Sequence, residues 1–505
     1  MKDWGFASGG SYNGRATDFN GERAVNLYPE IAAPSEHAKA RIVLQRVPGK
    51  KLFSTLPKNV RGIFSTDSRL FAAGGTKFYE IYQDGSQVEY TGDIGPGSTP
   101  VEWFDNGRMA FIVSGNQAHY DFGSPGPGIP PTLVRAAFND GTPLDVVQGG
   151  YVDGYFLAQE RDSNRFFISG SNADLTGTKG PTTWDPLDKG EKAGSPDRLF
   201  ALFAARREIW LMGQKTTEVW NNTGAANFPF QPIPGVFIEE GIAAPYSIAE
   251  IGGFRHWLGA DSKGSGVVFR AEAYTPQRIS THAMEQKIQT YYLFDAVGRG
   301  HQQEGHSFFV LSFPTSKATW VWDNTTEQWH ERAYWDPQRA LYLEDRARFG
   351  AYVLGWNQYL VADGNSGKIY DLSPAHMDDD GVPIRRLRSS PHVNNEGKKL
   401  FYKAMQLDMT VGQEVNLLDG MGLPRDPMMM RRTSNDGGKT WNNERVASIG
   451  KTGKYKMRVR WRRDGSAYDR AYETVCTEPI NECIVDAYLD VVVPKSPPLP
   501  GAGEV

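Results

Sequence analysis

Between residues 60 and 373 short apolar runs alternate with polar turns, and one phrase recurs. It is an apolar strand, a polar turn, a second strand closing on a small residue, a tight turn, then a strand bearing an aromatic. The phrase is clearest in D-S-R-L-F-A-A-G-G-T-K-F-Y-E-I at 67–81 and N-G-R-M-A-F-I-V-S-G-N-Q-A-H-Y-D at 106–121. Further copies stand at 205–220 and 252–260, and looser ones at 165–170, 305–312 and 350–364. The small residue that ends the second strand gives a landmark: Gly74, Gly115, Gly170, Gly213, Gly259, Ser312 and Gly355, spaced 41, 55, 43, 46, 53 and 43 residues apart. A repeat of ~40–50 residues containing several short strands is the signature of a β-propeller blade. Seven landmarks predict an all-β propeller of about seven blades over residues 39–373. A sandwich array whose turns recur by chance is the competing arrangement.

The flanks read differently. Residues 1–38 are rich in Gly, Asn and Pro and predict an irregular arm, whose one sharp phrase is R-A-V-N-L-Y-P-E at 23–30. A strand predicted at 41–47 ends on the Pro48-Gly49 turn pair and is expected to complete the last blade and close the ring. Turn formers and charge replace the apolar rhythm at 374–399, the expected linker. Alternation returns at Leu400 and predicts a small C-terminal β-sandwich-like domain over 400–493, followed by an extended tail at 494–505.

Within that C-terminal region Lys454, Lys456, Arg458, Arg460 and Arg462 alternate with Tyr455, Met457, Val459 and Trp461, with Arg463 next in line. Side chains on a strand point alternately to opposite faces, so this pattern predicts one cationic and one apolar face. Residues 431–470 hold twelve Lys or Arg against four acids, a local excess of eight in a chain of net charge −4. Such an imbalance points to a polyanion or to an acidic neighbouring subunit; the bland alternative is a solvated strand face.

Composition agrees with many short strands: 61 aromatics, 55 Gly and 31 Pro in 505 residues. Two cysteines, Cys476 and Cys483, exclude a disulfide scaffold or a four-cysteine zinc site, leaving open whether they pair. The N-terminus lacks the apolar core of a signal peptide, and no run approaches the ~20 apolar residues of a membrane span. A soluble protein made inside a cell is expected.

Catalytic chemistry is sparse. Ser434, Asp436, Gly438, Thr440 and Trp441 match the Asp-box phrase of sialidase propellers, a hairpin turn in which Ser and Asp cap backbone N–H groups and Trp anchors the turn. One copy outside the propeller predicts a structural role. His301, Glu304 and His306 have metal-ligand chemistry but lack helical i, i+4 spacing, so a solvated loop is expected. Asp378, Asp379 and Asp380 predict a polar turn before Gly381. There is no P-loop and no Gly-x-Ser-x-Gly elbow, and nothing specifies an enzyme, a cofactor or a metal. A carbohydrate-binding or sialidase-like glycosidase propeller and a cellular scaffold propeller are the alternatives.

Asn26-Leu27-Tyr28-Pro29-Glu30, the Pro48-Gly49 turn and above all the run from S-N-D-G-G-K-T-W through K-Y-K-M-R-V-R-W-R-R resemble the packaged-DNA stabilisation, or tail hub (nozzle), proteins of short-tailed phages. The resemblance implies a homo-hexameric ring in the virion tail, made in the host cytoplasm and without enzymatic activity. It implies docking below the portal-adaptor ring, tail fibres or spikes at the sides, and non-specific contact with double-stranded DNA passing through the channel. It implies no membrane insertion by this chain. In that setting Lys454, Lys456, Arg458, Arg460, Arg462 and Arg463 become candidates for channel or subunit contacts.

Overall fold

The computed structural model describes residues 2–493 apart from 8, 14–20, 32–40, 124–128, 175–178, 227, 261–263, 265, 414–416 and 419. The expected tail at 494–505 and much of the expected arm lie outside the described residues. The rest is strand and turn, with one short α-helix, His282–Ile288, and one 3-10 turn, Leu354–Trp356, among the described residues.

Seven four-stranded antiparallel blades form the propeller. They occupy 60–89, 102–135, 146–191, 199–238, 249–278, 297–331 and 349–373. Leu70–Gly74 and Glu208–Gly213 end on their landmark glycines and Gly115 follows Ala110–Ser114, each a second strand as expected, whereas Gly170 follows the third strand of blade 3, Arg165–Ser169, and Gly355 the first strand of blade 7, Phe349–Val353. Blade 7 contributes three strands of its own, and its fourth comes from the other end of the chain, Gly49–Thr55 pairing antiparallel with Lys368–Ser373.

Apolar wedges fill the space between most blades. Phe111, Phe156 and Trp184 pack between blades 2 and 3, and Trp210, Met212 and Trp257 between blades 4 and 5. Leu258, Val268, Phe309 and Leu311 fill the gap between blades 5 and 6. The seam of blades 6 and 7 is ionic instead. Lys50 Nζ lies 2.8 Å from Asp345 and 2.9 Å from Asp379, all three buried. Arg299 donates to the Ala347 carbonyl at 2.9 Å and to the Tyr359 hydroxyl at 3.1 Å.

The C-terminal domain is a two-sheet sandwich built from both ends of the chain. One sheet runs Leu27–Ile31, Ile42–Arg46, Cys483–Val492, Leu400–Met409, Val459–Arg462. The other continues directly from the outer strand of blade 6, in the order Gln328–Glu331, Gly21–Val25, Arg386–Ser389, Asp469–Cys476, Met428–Ser434, Arg445–Ser448. Met405, Leu407, Trp461, Tyr472 and Leu489 fill the space between the sheets.

Three expectations about the flanks change accordingly. Residues 21–31 of the expected arm are strands of the sandwich, and the expected linker contains the buried strand Arg386–Ser389. The strand expected to close the ring, Ile42–Arg46, joins the sandwich; Gly49–Thr55 closes the ring instead. The physical cause is the phrase at 23–30. Arg23 holds Glu331 of blade 6 at 2.8 Å. Asn26 adopts a left-handed φ of 57°. Its side chain donates to the Ala333 and Arg385 carbonyls and accepts from the Ala333 N–H, which fixes a backbone conformation that few other residues tolerate. The chain turns there from one sheet into the other.

Candidate functional site

The Asp-box turn follows Met428–Ser434. Ser434 Oγ donates to Asp436 Oδ1 at 2.7 Å and accepts from Gly438 N at 2.8 Å. Asp436 accepts from Thr440 N at 2.9 Å and from Thr440 Oγ1 at 2.6 Å, and these donors hold its carboxyl well below the usual range. Gly438 sits at φ 86°, where a side chain would be strained. Trp441 is half-buried, stacked under the Arg432 guanidinium at 5.0 Å rather than inserted in the core. Ser434, Asp436, Gly438 and Thr440 bond to one another within the turn, so the motif shapes a hairpin.

The cationic run divides into two parts. Only Val459–Arg462 is a strand, paired with Leu400–Met409; residues 451–458 form successive turns. Within the strand the alternation is as expected: Val459 and Trp461 are buried, Arg462 is exposed and Arg460 half-exposed. The single row of five cations is therefore corrected. Residues 451–458 turn on their own backbone instead, with Lys454 N donating to the Lys451 carbonyl at 3.0 Å and Met457 N to the Lys454 carbonyl at 3.1 Å, and Tyr455 is 73% exposed instead of lying in an apolar row.

Four of the twelve cations belong to the fold itself. Arg431 pairs with buried Asp464 at 2.5 Å, Arg445 with the same carboxylate at 2.7 Å, and Arg432 with Glu473 at 2.5 Å. Arg470 donates to Asn435 and to the Asp464 carbonyl and lies over the Tyr402 ring at 4.2 Å. Besides Lys439 on the Asp-box turn, what remains exposed is a loop group, Lys451, Lys454, Lys456 and Arg458, and a sheet-face group, Arg462 and Arg463, which Lys403 of the neighbouring strand joins. Arg460 has its nearest acid, Asp490, 3.9 Å away. The sheet-face group borders a shallow groove of about 940 Å³ whose apolar margin is Phe401 and Val492. Lys403 and Lys451 were not singled out from the sequence, because Lys403 belongs to a different strand and Lys451 precedes the alternation.

The other candidates resolve into structure. His301 and His306 are buried, correcting the expected solvated loop; His306 Nδ1 contacts Asp323 at 2.8 Å, and burial holds the His301 imidazole well below its usual range. Asp378–Asp379 forms a two-residue strand whose turn is the expected polar one, and Asp379 serves Lys50. Among the described residues no group of three or more His, Cys, Asp or Glu is placed to hold a metal ion. Both cysteines are free, with Cys476 Sγ accepting from Arg386 at 3.2 Å. Inner-strand residues line two spaces in the propeller, one of about 740 Å³ bordered by Ile251, His301, Gly350 and Tyr359, and one of about 290 Å³ lined by Phe64, Trp103, Phe104 and Phe203. Glu102 lines the latter too, accepting from Gly149 N at 2.8 Å and from Gln148 at 3.2 Å. Burial pushes its carboxyl up to about 8.

A closed seven-bladed propeller joined to a sandwich made from both chain ends defines a two-domain all-β protein. The chain belongs to the bacteriophage P22 Gp10 family. That family's beta-propeller model matches residues 6–377, and its beta-sandwich model matches residues 385–480. It is thus a phage structural protein, associated with the virion tail. No curated protein matches. Among solved structures, the chain is similar to the Pan2 WD40 domain of Neurospora crassa (11% identity, 65% of this chain and 96% of that one, TM-score 0.39). It is also similar to a putative 6-phosphogluconolactonase of Bacteroides uniformis (12%, 63% and 97%, TM-score 0.37). The computationally designed Ika8 protein gives 10%, 64% and 99%, with a TM-score of 0.38.

Proposed function

We propose that this protein is the tail hub of a short-tailed phage. Several copies form a ring, a hexamer by the resemblance, that extends the portal-adaptor channel, retains packaged DNA and conducts it during ejection, with fibres or spikes attached at its sides. The role needs no enzymatic step. The observation that carries the reading is the split cationic surface, Lys454, Lys456 and Arg458 on the loop and Arg460, Arg462 and Arg463 at the sheet face, none buried in the fold. Phosphate contacts need charge and no base recognition, so such a surface suits a DNA path, and it equally suits an acidic subunit face. The propeller channel is no candidate for that path. The two spaces among its inner strands, about 290 and 740 Å³, hold about ten and about 25 waters at ~30 Å³ each, whereas the major groove of B-DNA alone is ~12 Å wide. A duplex must pass between copies.

The test replaces Lys454, Lys456, Arg458, Arg460 and Arg462 with Ser in virions. Lost ring assembly or leakage of packaged DNA is expected, and particles that assemble and retain DNA normally overturn the reading.

A further inference from the structure

The seam of blades 6 and 7 holds a set of side chains that can react as well as pair. Lys50 Nζ lies between two carboxylates, Asp345 at 2.8 Å and Asp379 at 2.9 Å, and all three residues are buried. One carboxylate balances one ammonium. The second completes a different set: an amine, an acid for it to join, and another acid to move protons between them.

The backbone fixes each member separately. Lys50 is on the ring-closing strand Gly49–Thr55, and Asp379 stands opposite it in parallel register, with Asp380 N donating to the Lys50 carbonyl at 2.7 Å. Asp345 follows the strand Leu341–Glu344, and its N–H donates to Thr319 Oγ1 at 3.2 Å. Groups held at contact distance by rigid surroundings react as parts of one molecule, without the entropy cost of an encounter. The three share a cavity of about 10 Å³ with Arg332, behind the apolar walls of Val47, Leu372 and Ile384. That is room for about one water.

A second observation concerns the arginines. Arg332 Nε and Nη2 are buried without an acceptor among the described residues, and so is Arg299 Nη2. Both guanidiniums act on the Asp345 carboxylate. Buried donors left unpaired are costly, and spare N–H groups beside an acid are what an oxyanion formed on that acid needs. The two acids also differ. Against burial, Lys50 and the two guanidiniums hold the Asp345 carboxyl below its usual range. Burial, ahead of the opposing pull of Lys50, holds the Asp379 carboxyl above it. Burial opposes the charge on Lys50 and the two carboxylates more than restore it, so the amine rests as an ammonium and must first give up a proton. Asp379 is the acid suited to take it.

We propose that Lys50 and Asp345 condense into an isopeptide bond, with Asp379 carrying the protons, and that this bond locks the propeller ring. Lys50 passes one proton through Asp379 to a carboxyl oxygen of Asp345. The freed amine adds to Asp345 Cγ, and the oxyanion is met by the spare N–H groups of Arg332 and Arg299. Asp379 then takes a second proton from the nitrogen and gives it to the departing hydroxyl. The Nζ–Cγ bond forms, one Cγ–O bond breaks, one water leaves, and Asp379 ends as it began. No oxidant or cofactor is consumed.

The bond joins residues that bracket blades 1 to 6, turning about 295 residues into a covalent loop. A cross-link that closes so long a loop constrains the unfolded chain strongly, and the closing strand can no longer peel away. Neither cysteine is placed to do this, since Cys476 and Cys483 are free and lie on strands of the sandwich. The charge set still acts first: it selects the register, and its loss is felt in folding whether or not the bond follows.

The test is the intact mass of the purified full chain. Wild type is expected to be lighter than its sequence by one water. Proteolysis is expected to release a branched peptide joining Lys50 to Asp345, and the internal loop should make the denatured chain run faster in a gel than an unlinked one. Lys50→Arg keeps a cation at the seam, and Asp379→Asn keeps a hydrogen-bonding side chain. Both are expected to fold, as read by circular dichroism, and to show their full sequence mass. The wild-type mass is read without any variant, so a variant that fails to fold leaves the test intact. Folded wild type at full mass overturns the proposal and leaves the ion set as the whole of the seam. A branch at Asp379, or a link that still forms in Asp379→Asn, overturns the roles given to the two acids.

Discussion

The gap between blades 4 and 5 and the seam between blades 6 and 7 solve one packing problem by opposite means. In the first, Trp210 and Trp257 meet edge on, with ring centroids 6.1 Å apart among mostly apolar neighbours, and an ion pair of Arg255 with Glu208 at 3.0 Å caps the Trp210 ring. In the second, Lys50, Asp345 and Asp379 are buried together, and Arg332 lies buried beside them over the Phe308 ring. The difference follows from what each junction must do. Blades 4 and 5 are consecutive, so nonspecific apolar burial is enough to bring them together. Blade 7 must select Gly49–Thr55 from some 300 residues away and place it in one register, and a buried ionic set that is satisfied in one arrangement alone is suited to such a choice.

The largest effect is expected at the ionic seam. Lys50→Met leaves two carboxylates buried without their cation and should cost about 3–5 kcal/mol in denaturant unfolding. Adding Asp379→Leu leaves Asp345 facing Arg299 and Arg332 and should recover most of the loss. At the apolar gap between blades 5 and 6, Leu258→Ala should cost about 2–5 kcal/mol through lost burial and the cavity left behind, with no partner substitution able to rescue it.

Smaller effects sharpen the contrast. Glu102 is an acid on the channel side of an otherwise apolar junction, with its folded-state pKa raised to about 8. The unfolded chain releases this proton near pH 4.5 and the folded protein keeps it until about pH 8, so stability should fall as pH rises through that window. In Glu102→Gln the fall should be absent, as read from thermal midpoints between pH 5 and 8.5. Smallest is Ser434→Ala. It removes the acceptor for Gly438 N and should cost about 1 kcal/mol, without changing the seam's response to pH.

Much of the propeller was legible because its information is local. Each blade repeats the same turn chemistry within about 47 residues, so Gly74, Gly115 and Gly213 announce strand ends without reference to anything distant. The flanks were misread for the opposite reason. Arg386 and Arg388 look like solvated linker charges, yet both are buried. Arg386 is matched by Glu482 at 2.5 Å, and Arg388 by the Phe6 carbonyl at 2.8 Å, 382 residues away in sequence. No window of sequence contains those partners. The same applies to Ile42–Arg46, whose two neighbours in the sheet are Leu27–Ile31 and Cys483–Val492. The cationic run was legible in composition but not in shape, because residues 454–458 alternate as a strand does yet turn on their own backbone hydrogen bonds.

Closing the ring with Gly49–Thr55 and finishing the sandwich with Cys483–Val492 has a consequence for biosynthesis. Early segments of this polypeptide wait for partners that the ribosome has not yet made, and at ~5–20 residues per second the wait lasts tens of seconds. During it the edges of both domains stand open, and the long loops that must close set a slow rate. A nascent chain halted before residue 483 leaves the sandwich without its central strand, and an unfinished subunit of that kind is in no state to enter a particle.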